Sequence, residues 1–174
     1  MLYSFDGRKP TIGIDSYISE TAILIGDVII GDNCYVGHGA ILRGDYGTIK
    51  IGSGSAVEEG AIMHAPPDGL NNIGEKVTIG HGAKLHGQEV GNNAVIGIGA
   101  ILGLRSKVGA WAIIAEGCVV KSRQEIPDKA VAAGNPAKIV RDISTKDVEF
   151  WTWGKQLYID LAKKYLRIGM HRID

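Results

Sequence analysis

Three histidines, His64, His81 and His86, carry the first chemical signal in this chain of 174 residues. Arg43, Asp45, Glu58, Glu59 and Tyr158 are polar side chains whose positions relate to them. Neutral imidazoles are good ligands for divalent cations, and three of them with one open position make a catalytic rather than a structural arrangement. The spacing of 17 and then 5 residues between the three matches no helical face. Whether they meet depends on the elements that hold them.

Those elements announce themselves as a repeat. Aliphatic residues recur every sixth position through Ile12, Ile18, Leu24, Ile30, Val36 and Leu42. The series resumes at Ile51, Val57 and Met63, again at Ile73, Ile79 and Leu85, and then runs from Val90 through Ile96, Leu102, Val108, Ile114 and Val120 to Ile126. Four residues after most of these stands a small residue, among them Ser16, Ala22, Cys34, Ala61, Ala100 and Cys118. An amphipathic helix needs spacings of 3 and 4. A period of 6 is a multiple of the strand period, so each hexad reads as a short strand and a turn with its aliphatic pointing inward. Small residues fit where the chain bends, and the 25 glycines supply unusual backbone angles.

This pattern resembles the hexapeptide-repeat family, and the resemblance implies an all-β, left-handed parallel β-helix in which three hexads make one triangular coil of 18 residues. The series then implies a little over six coils, each burying its inner face only by stacking. Three breaks interrupt it: Leu42 to Ile51 spans 9 residues, Met63 to Ile73 spans 10, and Leu85 to Val90 spans 5. The added residues are expected to bulge out as loops near 45–50 and 65–72. Once they are subtracted, Arg43, His64 and His86 fall in one outward column on successive rungs, about 4.8 Å apart. His81 lies on the preceding face, across a corner. In the same column as His81 fall Glu59 and, one coil further, His38. One chain cannot easily aim all three histidines at one ion; a threefold homotrimer can, with His81 of one copy facing His64 and His86 of the next.

Leu42-Arg43-Gly44-Asp45, His64 after Ala-Ile-Met, and Gly80-His81-x4-His86-Gly87 sharpen the resemblance to γ-class carbonic anhydrases over residues 10–140. The GDYG stretch and the short loop 65–72 look closest to the branch with phenylacetate-degradation and carnitine-operon proteins. The resemblance implies a homotrimer with metal sites between subunits, ligands His64, His81 and His86, and a Zn2+ ion (alternatively Fe2+ or Co2+). Its activity would be reversible hydration of CO2 to bicarbonate by metal-bound hydroxide, a lyase reaction. Arg43 and Asp45 resemble the pair that crosses the family's trimer interface, and Tyr158 resembles a Tyr that reaches its site, ordinary helix packing being the other reading. Glu58 stands where Gln is usual and Glu59 where Asp is common. A carboxylate at Glu58 either accepts the water's proton or raises the water's pKa by added negative charge. The alternatives are a metal-dependent acyl-CoA thioester hydrolase or acyltransferase on the same scaffold, or a non-catalytic trimeric scaffold with a relic metal site. The three-His spacing argues against acyl transfer, for which the family usually uses a lone His.

Residues 1–143 read as the β-helix and 144–174 as a C-terminal helix and tail of the same domain. Ser144 or Thr145 can cap that helix, with Asp147 in its first turn. Val148, Trp151, Leu157, Tyr158, Leu161 and Tyr165 lie at helical spacings over 145–167, with Gly154 a weak point. The whole is neutral, with 19 basic and 19 acidic residues, which argues against a nucleic-acid partner. No apolar run approaches a membrane span. Cys34 and Cys118 sit at small core positions and cannot form a disulfide scaffold, so a cytoplasmic setting is expected. His38 reads as an interface or surface residue, and His171 carries no signal.

Overall fold

In the computed structural model, which describes residues 1–86 and 88–173, the chain winds as a left-handed parallel β-helix closed by a single C-terminal helix. The reason is visible in the core. Every aliphatic of the six-residue series from Leu24 to Ile126 is buried, and Ile12 and Ile18 pack partly buried at the open end. The small residues between them, Ala22, Cys34, Ala61, Ala83, Ala100 and Cys118 included, are fully enclosed. They occupy the corners, where a larger side chain would collide with its counterparts one rung away.

Three faces result. Ile41–Ile51, Ile62–His64, Lys84–His86 and Ile101–Leu102 contribute to the first face. Leu70–Ile73, Glu89–Val90, Lys107–Val108 and Glu125–Ile126 contribute to the second. These two faces form one 12-stranded sheet, because Ile23–Ile30 and Ile41–Ile51 run round the corner between them without a break. The third face is an 8-stranded sheet. Its inward residues Val36, Val57, Ile79, Ile96 and Ile114 are in register on successive rungs.

Three expectations need correction. The stretch 45–50 is not a loop: the additional residues are absorbed within the long strand, at a register shift opposite Gly26–Val28. The second insertion is shorter than 65–72, since Leu70–Ile73 is already a paired strand. The repeat also runs one rung past Ile126. Ala130–Ala133 pairs parallel with Ile113–Ile114, and its inward residue is Ala132, too small to continue an aliphatic series. Lys138–Asp142 then folds back antiparallel on this last strand.

The helix spans Thr145–Ile168. Ser144 caps it, its Oγ accepting from the Asp147 backbone N–H at 3.2 Å while Asp147 accepts from the Ser144 N–H at 2.7 Å, a reciprocal capping box. Arg141 closes on Asp147 at 2.6 Å. The helix lies over the third face, where Ala162, Tyr158, Leu161 and Tyr165 pack on Tyr17, Tyr35 and Ala56. Leu157, expected in this seam, instead points to solvent. Lys155 takes a place in the seam: it is 4% exposed, its Nζ has no hydrogen-bond partner among the described residues, and it sits 5.2 Å from the Trp151 ring centroid. No described helix is long and apolar enough to cross a membrane.

Candidate active site

The ladder places Arg43 opposite His64 and His64 opposite His86, so the three share one outward column as counted. The two imidazoles lie with ring centroids 4.8 Å apart and planes tilted by 30°. Nε2 of His64 is buried and without a hydrogen-bond partner among the described residues. Burial, with Arg43 and His86 alongside, lowers the pKa of His64, so the ring favours its neutral form. Arg43 reaches Asp45 at 2.9 Å within the same chain. Burial pushes the Asp45 carboxyl up, but the Arg43 guanidinium and backbone N–H groups together more than offset this and leave it below its usual range. Gly87, the last residue of the histidine motif, lies outside the described residues. Beside the imidazole pair is a depression of about 410 Å³ lined by Ile62, His64, Lys84, His86, Ile101 and Leu104. Ile62, Ile101 and Leu104 are exposed.

His81 occupies the neighbouring corner, between the third and first faces. The backbone bonds from Gly60 to His38 and from Gly82 to Glu59 stack His38, Glu59 and His81 on successive rungs. The His81 side chain is 45% exposed and flanked by two carboxylates: Nδ1 lies 2.8 Å from Glu59 Oε2 and Nε2 lies 3.1 Å from Glu58 Oε2. Oε2 of Glu58 also accepts the backbone N–H of His81 at 3.1 Å. Burial raises the Glu58 pKa despite the opposing effects of Tyr158 and His81. Burial acts the same way on Glu59, but there hydrogen bonds from Tyr35 and backbone, and the nearby histidines, leave the carboxyl below its usual range. Two adjacent carboxylates thus differ in proton affinity, the pattern that separates acid from base. Tyr158 faces Glu58, and burial together with that carboxylate raises its phenol pKa. His38 bonds Ser19 Oγ at 2.6 Å and meets Tyr165 edge-on, which makes it part of the helix seam.

One chain therefore carries two half-sites: Arg43, Asp45, His64 and His86 on a face, and Glu58, Glu59, His81 and Tyr158 at a corner. Among the described residues of one chain, no three His, Cys, Asp or Glu side chains come together so as to hold a metal ion. The sequence reading missed Tyr35, whose hydroxyl donates to Glu59 Oε1 at 2.6 Å. Its signal was present: Tyr17 and Tyr35 lie 18 residues apart, an aromatic column that a helix would cover.

Comparison with known proteins bears on the chemistry. The bacterial transferase hexapeptide (six repeats) family model matches residues 9–44. The carnitine operon protein CaiE of Escherichia coli K12 is 34% identical over 169 residues, covering 97% of this chain and 86% of that protein. CaiE of a Proteus species is 36% identical over 161 residues, covering 92% and 82%. Among solved structures, a hexapeptide transferase family protein from Anaplasma phagocytophilum superposes with a TM-score of 0.88 at 30% identity, covering 94% of this chain and 97% of that one. A Bacillus cereus protein provisionally named an acetyltransferase superposes with a TM-score of 0.92 at 27% identity, covering 94% and 95%. These similarities overturn the expected function. They point to transferase chemistry, so the carbonic anhydrase and lyase assignments, and zinc hydroxide with them, are corrected. The physical reason is that repeat and histidine column specify a scaffold that hosts more than one reaction.

Proposed function

Since the chain belongs to the hexapeptide-repeat family that includes the carnitine operon protein CaiE, we propose that it transfers an acyl group from a coenzyme A thioester to a small hydroxyl or amine acceptor, with His81 as general base. The observation that carries this reading is the half-exposed His81 imidazole held between two carboxylates. In the step envisaged, His81 takes the acceptor's proton as the acceptor's O or N bonds to the thioester carbonyl. The C–S bond then breaks, the thiolate leaves, and the imidazolium returns the proton to it. Glu59 orients the imidazole. Glu58 and Tyr158 border the reacting nitrogen.

The protein would act as a homotrimer. The apolar residues Ile62, Ile101 and Leu104 suit contact with a second copy, and that contact sets His81 of one copy beside Arg43, Lys84 and the depression of the next. The cations would face the anionic part of the thioester. The two free, buried cysteines accord with a cytoplasmic setting.

The His64–His86 pair favours a second reading. The buried Nε2 of His64, which makes no hydrogen bond and has Asp45 Oδ1 3.7 Å away, fits a divalent transition metal held by His64, His86 and the neighbour's His81. Such a metal would polarise the thioester carbonyl, which suits thioester hydrolysis.

The test is release of free thiol from acetyl-CoA and longer acyl-CoAs, with a panel of hydroxyl and amine acceptors headed by L-carnitine. Acceptor-dependent release is expected, with His81→Ala lowering it by a factor of about 100 or more. Release that needs no acceptor and vanishes when bound metal is removed would favour the second reading. Release no faster than from His81→Ala under all conditions would overturn both.

A further inference from the structure

The two nitrogens of His81 face two carboxylates, and a neutral imidazole has a single N–H to give. Which carboxylate receives it decides which nitrogen can accept a proton from substrate. The surroundings of the two carboxylates differ. Oε2 of Glu58 is already engaged by the backbone N–H of His81. Glu59 is gripped from its far side: the Tyr35 hydroxyl donates to Oε1 at 2.6 Å while Oε2 lies 2.8 Å from His81 Nδ1. The Tyr35 ring is itself held. It is buried, its centroid 5.7 Å from that of Tyr17, 5.3 Å from Tyr158 and 6.2 Å from Tyr165. Space for the Glu59 carboxylate comes from Gly37, where a Cβ would lie 2.6 Å from Oε1.

We propose that Tyr35 is a positioning residue that, through Glu59, fixes His81 in the tautomer with its proton on Nδ1 and leaves Nε2 to accept the substrate's proton. Tyr158 and Tyr165 belong to the helix, so docking of that helix on the third face sets the orientation of an imidazole on the next corner. This deepens the assignment of His81 as base and rests on it, but the tautomer can be read without any turnover.

The experiment is 15N NMR of imidazole-labelled protein at a pH where the ring is neutral, with the His81 signals assigned by their loss in His81→Ala. Wild-type protein is expected to show a protonated Nδ1 and a bare Nε2. Tyr35→Phe, which keeps the ring and removes the hydroxyl, is expected to shift population toward the Nε2–H form and to lower kcat by about tenfold with KM nearly unchanged. Glu59→Gln places an amide donor within reach of Nδ1 and is expected to convert the ring to Nε2–H. If Tyr35→Phe proves too unstable to study, Glu59→Gln alone carries the test. Tyr17→Phe is the control, altering the same aromatic cluster without touching Glu59, and should leave the His81 signals in place. Identical His81 signals in wild type and Tyr35→Phe, or a wild-type ring already protonated on Nε2, would overturn the proposal. Absence of acyl transfer in the wild type would sink the functional reading, with the NMR result still deciding the role of Tyr35.

Discussion

Lys155 offers a quantitative test of how the helix is held. Burial lowers its pKa from the ordinary 10.5 to about 8, and its Nζ meets the Trp151 face but no hydrogen-bond acceptor among the described residues. At about 1.4 kcal/mol for each tenfold change in proton affinity, that drop corresponds to about 3 kcal/mol of stability lost by keeping the ammonium buried. The sign follows from proton counting. Between pH 8 and 10.5 the unfolded chain binds more protons at this side chain than the folded one, so stability rises with pH in that window. Below pH 8 both states are charged and the folded state bears the whole cost. Lys155→Met keeps most of the volume and removes the charge. The variant should therefore be more stable than wild type at pH 7, and its advantage should shrink by about 2.5 kcal/mol on going to pH 10. The assay is urea unfolding of both proteins across this range at one fixed protein concentration, because self-association shifts apparent stability. An advantage that does not change with pH, or a variant less stable than wild type at pH 7, would refute the reasoning.

Two further outcomes are expected. Gly37→Ala would push a methyl group to 2.6 Å from Glu59 Oε1 and 2.9 Å from its backbone N; His81 should lose its fixed tautomer by 15N NMR, and thermal unfolding should show a loss of about 1–3 kcal/mol from overpacking. Ser144→Ala removes the acceptor for the Asp147 N–H and should cost about 1 kcal/mol, seen as faster amide hydrogen exchange confined to the first turns of the helix.

Counting from inward aliphatics locates the column of Arg43, His64 and His86 from sequence alone, because a β-ladder turns sequence separation into height with little freedom. The same arithmetic put His81 above Glu59 and His38. It failed where side chains stopped reporting the backbone. Ala132 points inward like Ile126 but is too small to stand out, so the last rung was lost. Residues 45–50 looked like an insertion to be looped out, yet a strand can turn a corner and absorb extra residues at a shift in register. Lys155 would be placed in water on charge alone, and only the packed seam shows it buried. Tyr17 and Tyr35 mark an aromatic column by their spacing, but an outward-facing residue on a prism face has no evident partner until the helix is in place. The reaction was the least legible feature. A histidine can be a ligand or a base at the same height on the same ladder, and the distinction lies in what its neighbours do with its second nitrogen.

The rungs beyond Leu102 hold none of the catalytic or ligand candidates, and their parallel strands pair only with the turns above and below. Length and chemistry are therefore separable in this molecule. Duplicating an 18-residue segment between Val108 and Ile126 should lengthen the column like an added storey, moving the roof formed by Lys138–Asp142 upward while the ground-floor machinery stays where it is. The helix, anchored to the lower storeys, sets the limit: a longer tether to reach it would be the one part needing redesign.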